Sequence, residues 1–386
     1  MQILILIFLT ALHLAPLLFF KTNMWIAQGI FSGIMIGVMF GTFFLQKPLR
    51  GIPRNLPLAL LFFWVAAQVA FLCYGAQVNN KIDFQHFFPF FNFLCIIIFY
   101  ICVVCFLNQK WVYLILKFIR YAVIGELLLC VLQYFGLAQF FALYQPGAYQ
   151  NYSIVVGLLG NGTHLSGFLA MCSVLFLDNK RESYLALILM VLVLFFCSTT
   201  VGTPAISGFV VLITSIVVFL YNRDKRILCL VVFFGAIFTY ILFNIASQKN
   251  ISEILSFNGR LSIWEYYLGL FKSQGFAMTG YGLGTIGGIF QKTPFPTAMH
   301  LHNEYLHYMF ELGIVGITLI IYLIVDFLKK EINCTEALQC KIIFIGFLVS
   351  SLFNYPSHLW MVSIYSVFAY GAVIALERGQ YSNSNS

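Results

Sequence analysis

Charge is scarce in this sequence. Only 9% of its 386 residues are Asp, Glu, Lys or Arg, where a soluble domain carries about 25%. With 61% hydrophobic residues, the chain has too little polar surface to cover itself in water, which excludes a soluble globular enzyme. What remains is a polytopic membrane protein, all-α, a transmembrane helical bundle in one integral membrane domain over 1–386. The apolar runs reach the roughly 20 residues that a spanning helix needs, and the short alternating strands of a β-barrel are missing. Acidic residues are the scarcer sign, 13 against 21 basic, giving a net charge of +8. The cations lie in short loops between apolar runs, the pattern of membrane topology rather than of a nucleic-acid-binding face. Ten cysteines are present, but eight sit in apolar runs, so no disulfide framework is implied. Cys102-x-x-Cys105 is embedded in Ile, Val and Phe and reads as apolar filler, not as a zinc site. Internal repeats are lacking, and so is the basic n-region of a removable signal, so the first apolar run is expected to stay as a span.

Twelve spans are expected, at about 3–20, 25–45, 57–76, 88–107, 115–137, 163–177, 184–202, 204–221, 226–246, 305–327, 341–355 and 358–376. Lys and Arg then orient them. Lys47, Arg50 and Arg54 fall in one short loop, Lys180 and Arg181 in another, and Arg223, Lys225 and Arg226 in a third. Lys329, Lys330 and Lys341 flank a fourth, and Lys110, Lys117 and Arg120 open the fifth span. With twelve spans these all share one face with both termini, and that face is cytoplasmic. Two long loops, about 138–162 and 247–304, face outward, and the polar tail at 380–386 is expected to be disordered. Gly29, Gly33, Gly37 and Gly41 line one face of the second span. This reads as a helix-packing seam, with a substrate groove as the alternative.

The polar stretch at 258–316 stands apart. Arg260 precedes Trp264, Tyr267, Leu268 and Phe271, a spacing that predicts a short amphipathic helix over 260–273 at the outer membrane surface. Arg260 is either an interfacial anchor or a bidentate phosphate ligand. Asn303 is a good N-cap for the helix beginning at Glu304, and His302 beside that N-terminus is suited to be a general base near a bound anion. His300 and His307 are near neighbours. Gly282-x-Gly284-x-x-Gly287 matches a dinucleotide fingerprint in letters only, because no βαβ unit surrounds it; tight turns or backbone approach to a phosphate fit better. Glu126 and Gln133 share a face of the fifth span, where ionisable groups are costly and usually functional. His164 and His358 sit at outer helix ends.

Gly259-Arg260-x-x-x-Trp264, Gly280-x-Gly282-x-Gly284, His302-Asn303-Glu304-x-Leu306 and Glu311-x-Gly313-x-x-Gly316 together resemble the O-antigen ligase and polymerase superfamily. Gln133-Tyr-Phe-Gly136 and Gly160-Asn161-Gly-Thr-His164 are similar to that family's middle region. The resemblance implies a metal-independent glycosyltransferase without cofactor in the bacterial inner membrane. Its donor is an undecaprenyl-pyrophosphate-linked glycan, and its acceptor is lipid A core in a ligase, a lipid-linked repeat unit in a polymerase, or a pilin in related enzymes. It implies His302 as the base and Arg260 as the pyrophosphate ligand. Asn303, Glu304, Trp264, His300 and His164 are the expected supporting residues. Where the family often carries a second arginine, this chain reads Ser198-Thr199-Thr200-Val201-Gly202-Thr203. Lys249, Lys292 or the threonine hydroxyls are then left to supply that contact, or the activity is altered. A competing reading from another class is a lipid-linked glycan flippase, but transporters place polar groups at the bilayer midplane, often within inverted repeats.

Overall fold

The computed structural model describes residues 1–18, 24–49, 51–52, 55–78, 87–137, 155, 157–159, 162–177, 181–197, 206–223, 260–273, 278–286, 301–332, 334–354, 356 and 360–384. Among them the protein is all-α, with twelve α-helices. They are α1 (Gln2–Leu18), α2 (Met24–Leu45), α3 (Leu56–Val78), α4 (Phe87–Phe106), α5 (Gln109–Tyr134), α6 (Gly162–Cys172), α7 (Arg181–Phe196), α8 (Ile206–Arg223), α9 (Arg260–Ser273), α10 (Glu304–Leu328), α11 (Thr335–Ser350) and α12 (Trp360–Ser384). Every span expected within the described residues coincides with a helix, and the ninth, 226–246, lies outside them. The short helix expected over 260–273 is α9. The last helix extends to Ser384, over most of the stretch expected to be a disordered tail.

Among the described residues, two helices, Glu304–Leu328 and Met361–Arg378, pass as long and apolar enough to cross a membrane; α2, α3, α4 and α5 run to 22, 23, 20 and 26 residues. The 25 residues of α10 rise about 37 Å at 1.5 Å each, enough for a hydrocarbon core of about 30 Å. By contrast, α6 has 11 residues before it tightens into a 3₁₀ turn at Ser173–Phe176.

A single large apolar core joins α1, α2, α4, α5, α6, α7, α8, α10, α11 and α12, with Phe8, Phe99, Phe168, Tyr365 and Phe368 wholly buried. Small residues set the closest approaches: Gly346 lies against Met171, and Gly371 against Val103. The glycine face of α2 does not do this. A Cβ on Gly33 would meet the Phe91 ring at 2.8 Å, but at Gly37 and Gly41 it would meet nothing within 4 Å.

One polar cluster is sealed inside this core. Glu126 Oε2 accepts from Leu158 N (3.1 Å), and the Gln133 side chain both accepts from Gly157 N (2.9 Å) and donates to its carbonyl (3.4 Å). Seven residues apart, the two side chains share a helix face and clasp the 3₁₀ turn Gly157–Leu159. Gly157 has φ 56°, and a Cβ there would lie 2.5 Å from Glu126 Oε2, so only glycine lets the carboxylate reach. His13 Nε2 stands 3.6 Å from Glu126 Oε1, and His13 Nδ1 is 3.3 Å from the Tyr365 hydroxyl.

Candidate functional site

The site is assembled from the ends of α9, α10 and α11. On α9, Ile263, Tyr267 and Phe271 recur at helical spacing and are buried. Tyr267 and Phe271 pack on Phe310 of α10, with ring centroids 5.0 and 5.7 Å apart, and Tyr281 stacks on the same ring at 4.7 Å. The aromatic face expected to rest on the membrane surface is therefore spent on protein. This packing fixes where Arg260, the first residue of α9, and Trp264, one turn on, can reach. The Trp264 indole N–H donates to the carbonyl of Leu301 (2.7 Å), the residue before His302.

Asn303 caps α10 as expected, its side chain accepting from Leu306 N at 3.0 Å. Its amide also donates to the carbonyl of Leu352 (3.1 Å), Glu304 N donates to Ser351 O (2.9 Å), and Arg260 Nη1 donates to Phe353 O (2.5 Å). Three consecutive carbonyls at the end of α11 thus collect the cap, the first helical N–H and the arginine. The C-terminal end of a helix carries partial negative charge, so it is a favourable seat for a guanidinium. The next residue, buried Asn354, donates to Ser207 Oγ of α8 (3.3 Å).

His302 is the one non-glycine residue with positive φ (52°) among the described residues, a conformation costing about 1–3 kcal/mol that clusters at functional sites. Its pKa is lowered from 6.5 to about 4, first by burial and second by the Arg260 charge. The neutral histidine expected from a helix dipole is found, with different causes.

The glycine-rich run forms a joint. α10 is broken at Gly313 (φ 71°, ψ −174°), and the loop 278–286 fills the gap. Tyr281 N donates to Phe310 O (3.0 Å), Gly282 N to Glu311 O (2.9 Å) and Val315 N to Met278 O (3.4 Å). From α3, Trp64 Nε1 donates to Leu312 O (3.0 Å), and the Gln68 amide donates to the carbonyls of Thr279 and Glu311. Backbone groups freed at membrane depth must find partners, and each carbonyl from 310 to 312 has one. A Cβ on Gly313 would lie 2.3 Å from Met278 O, and one on Gly280 2.3 Å from Glu311 O. Gly280 and Gly313 serve backbone-to-backbone contact within the protein, and Gly282 and Gly284, with φ 104° and 81°, make the tight turns considered from sequence. Beside the joint, buried His307 and Glu311 pair at 3.3 Å.

Residues 166–321 match the O-antigen ligase family model. Among curated proteins none matches the chain. The O-antigen ligase domain opens within α6 and closes within α10, taking in Arg260, Trp264, the joint, His302 and Asn303. The family and the apolar helices together indicate a membrane protein, and the family implies glycan transfer of the ligase or polymerase type with lipid-linked glycan substrates.

Within the O-antigen ligase domain and its flanks, Arg260, Trp264, His302, Asn303 and Glu304 converge on one neighbourhood, with the Glu304 side chain buried. His164 is buried in the first turn of α6; one turn on, Gly167 approaches Ser350, the last residue of α11. Lys249, Lys292, His300, His358 and the Ser198–Thr203 segment lie outside the described residues. Sequence reasoning missed Ser351, Leu352, Phe353 and Asn354. The first three act through backbone carbonyls, which leave no residue-type signal. Asn354, a polar residue beside Tyr355-Pro356, was the one available hint.

Proposed function

We propose that this protein is a membrane glycosyltransferase of the O-antigen ligase or polymerase type, moving a glycan from undecaprenyl pyrophosphate to an acceptor hydroxyl in surface polysaccharide biosynthesis. The acceptor is lipid A core if it acts as a ligase and a lipid-linked repeat unit if it acts as a polymerase. The observation that carries the reading is the seating of Arg260 and His302 on one helix-end platform, with Arg260 close enough to bias the histidine's protonation.

In this reading, Arg260 holds the pyrophosphate, with Lys249 and Lys292 as further candidates. The acceptor oxygen attacks the anomeric carbon, its proton passes to His302, and the sugar–pyrophosphate bond breaks with its electron pair leaving on the phosphate. A histidine of pKa about 4 is always unprotonated near neutrality but is a weak base. Donor binding corrects that, because a pyrophosphate offsets the Arg260 charge and its own negative charge favours the imidazolium. Proton transfer by a positioned base contributes about 10²–10⁴-fold. Asn303 and Trp264 position His302 through its two chain neighbours. We assign no metal to the reaction, the arginine supplying the positive charge.

The same proposal places both termini in the cytoplasm and the 247–304 loop in the periplasm of a bacterial inner membrane. Purified protein given a lipid-linked glycan and an acceptor in detergent should consume the donor, at an unchanged rate in EDTA. Donor consumed only in sealed vesicles, or not at all, overturns the transferase in favour of a flippase or of neither. For topology, cysteine at the exposed Glu265 should react with an impermeant thiol reagent on intact spheroplasts while native Cys334 should not; the reverse pattern inverts the protein.

A further inference from the structure

Away from this site, α2, α3 and α4 enclose an apolar trough of about 600 Å³. Its walls include Ile36 and Gly37 of α2, Phe62 of α3 and Ile98 of α4. Its rim is formed by Phe40, Phe63 and Phe91, which are 49%, 67% and 43% exposed, so the trough opens sideways. The glycine face of α2 accounts for the space: at Gly37 nothing stands within 4 Å of where a side chain would begin. Protein interiors do not leave voids of this size unfilled. In a chain surrounded by bilayer, the medium that enters an apolar opening is a lipid chain.

One end of the trough says which lipid. Ile52 and Asn55, from the loop between α2 and α3, line it there. That loop carries Lys47, Arg50 and Arg54 in sequence, and Lys47 is exposed. Clustered cations at a membrane surface recruit anionic headgroups. We propose that the trough is a binding site for an anionic phospholipid, one acyl chain lying along Gly37 and the headgroup at the end lined by Ile52 and Asn55, on the side of the exposed Lys47. The lipid-linked donor is a poorer occupant. Its pyrophosphate belongs at Arg260, whereas the polar end of the trough is at Asn55, 9 and 13 residues before Trp64 and Gln68, where α3 meets the joint. The inference does not depend on the transferase reading and can fail without it.

Native mass spectrometry of the full chain, dosed equally with phosphatidylglycerol and phosphatidylcholine of the same chains, tests this. Phosphatidylglycerol should be retained about tenfold better, the order expected from a few surface cations. Gly37→Leu combined with Ala59→Leu should abolish that retention, and replacing Lys47, Arg50 and Arg54 with Gln should leave both lipids retained equally. Equal retention by the native chain overturns the proposal, as does full retention by the filled variant or displacement of phosphatidylglycerol by undecaprenyl phosphate. Because the filled variant can fail to fold, the native protein is also labelled with a photoactivatable-acyl phosphatidylglycerol. Crosslinks should map to 91–101 of α4, and crosslinks confined elsewhere overturn the site.

Discussion

Glu126 is a buried ionisable group and His302 a half-buried one, and their neighbours differ in kind. Glu126 is held by side chains and a turn inside one core: Leu158 N takes one oxygen, His13 faces the other, and Gln133 completes the clasp. His302 stands where three helix ends meet, on strained backbone, with its chain neighbours fixed by Trp264 and by the carbonyls closing α11. Intramembrane carboxylates invite functional assignment by default. Here the carboxylate is spent on structure, as a latch for Gly157–Leu159, and the candidate chemistry lies in the group whose surroundings were arranged around its backbone.

The sharpest test of that contrast is His302→Ala. Transfer should fall about 10²–10⁴-fold with the thermal unfolding midpoint in detergent little changed. Activity near that of the native protein would break the contrast from one side. From the other side, Glu126→Ala should unfold the protein earlier, since a removed partner leaves a buried group unsatisfied at about 1–3 kcal/mol. Glu126→Gln, which still accepts from Leu158 N, should recover most of that loss, and turnover per folded molecule should match the native value in both. A tenfold fall in turnover at Glu126→Gln with normal stability would give the carboxylate a chemical role.

Two smaller effects sharpen the picture at His302. Its pKa in the folded protein, about 4, lies below the ordinary 6.5, so protonation favours the unfolded chain. Stability is therefore complete above about pH 6.5 and declines as pH falls towards 4. Arg260→Gln removes the second cause and leaves burial, so the His302 imidazole should titrate above 4 but still below 6.5. Histidine NMR, with the resonance assigned by its loss in His302→Gln, reads this directly; an unmoved pKa would separate the two residues. Finally, His302→Gly should relieve left-handed backbone strain and raise the unfolding midpoint by an amount equivalent to about 1 kcal/mol, although transfer is lost. An unchanged or lowered midpoint would mean that the strain is not held in the native state.

The amphipathic spacing from Arg260 to Phe271 located α9 to the residue, and Asn303 marked the start of α10, because caps and helical periodicity are local properties of side chains. Glu126 and Gln133 fell on one face for the same reason, although their partner turn at Gly157–Leu159 was invisible. The platform at 351–353 was not legible, since backbone carbonyls look alike in every residue. Nor was the break at Gly313. In Glu311-x-Gly313-x-x-Gly316, glycine signals permission for a positive φ, and only the distant loop at 278–286 shows that it is used. At α6 the span expected over 163–177 coincides with the helix 162–172 and the 3₁₀ turn 173–176 that continues it, a tightening that hydropathy does not register.

The joint at Gly313 also sets an order of assembly. Trp64 and Gln68 enter the membrane on α3 with polar groups whose partners at Leu312 and Glu311 lie 248 and 243 residues further along the chain. During synthesis from the N-terminus, those side chains wait through most of translation before the acceptors exist. The loop at 278–286 emerges ahead of the gap it fills, and α10 cannot be completed without it. Closing so long a chain segment is entropically slow, so the first half of the bundle forms before the joint is made. A nascent chain arrested before residue 311 should present Trp64 to quenchers that the finished protein excludes.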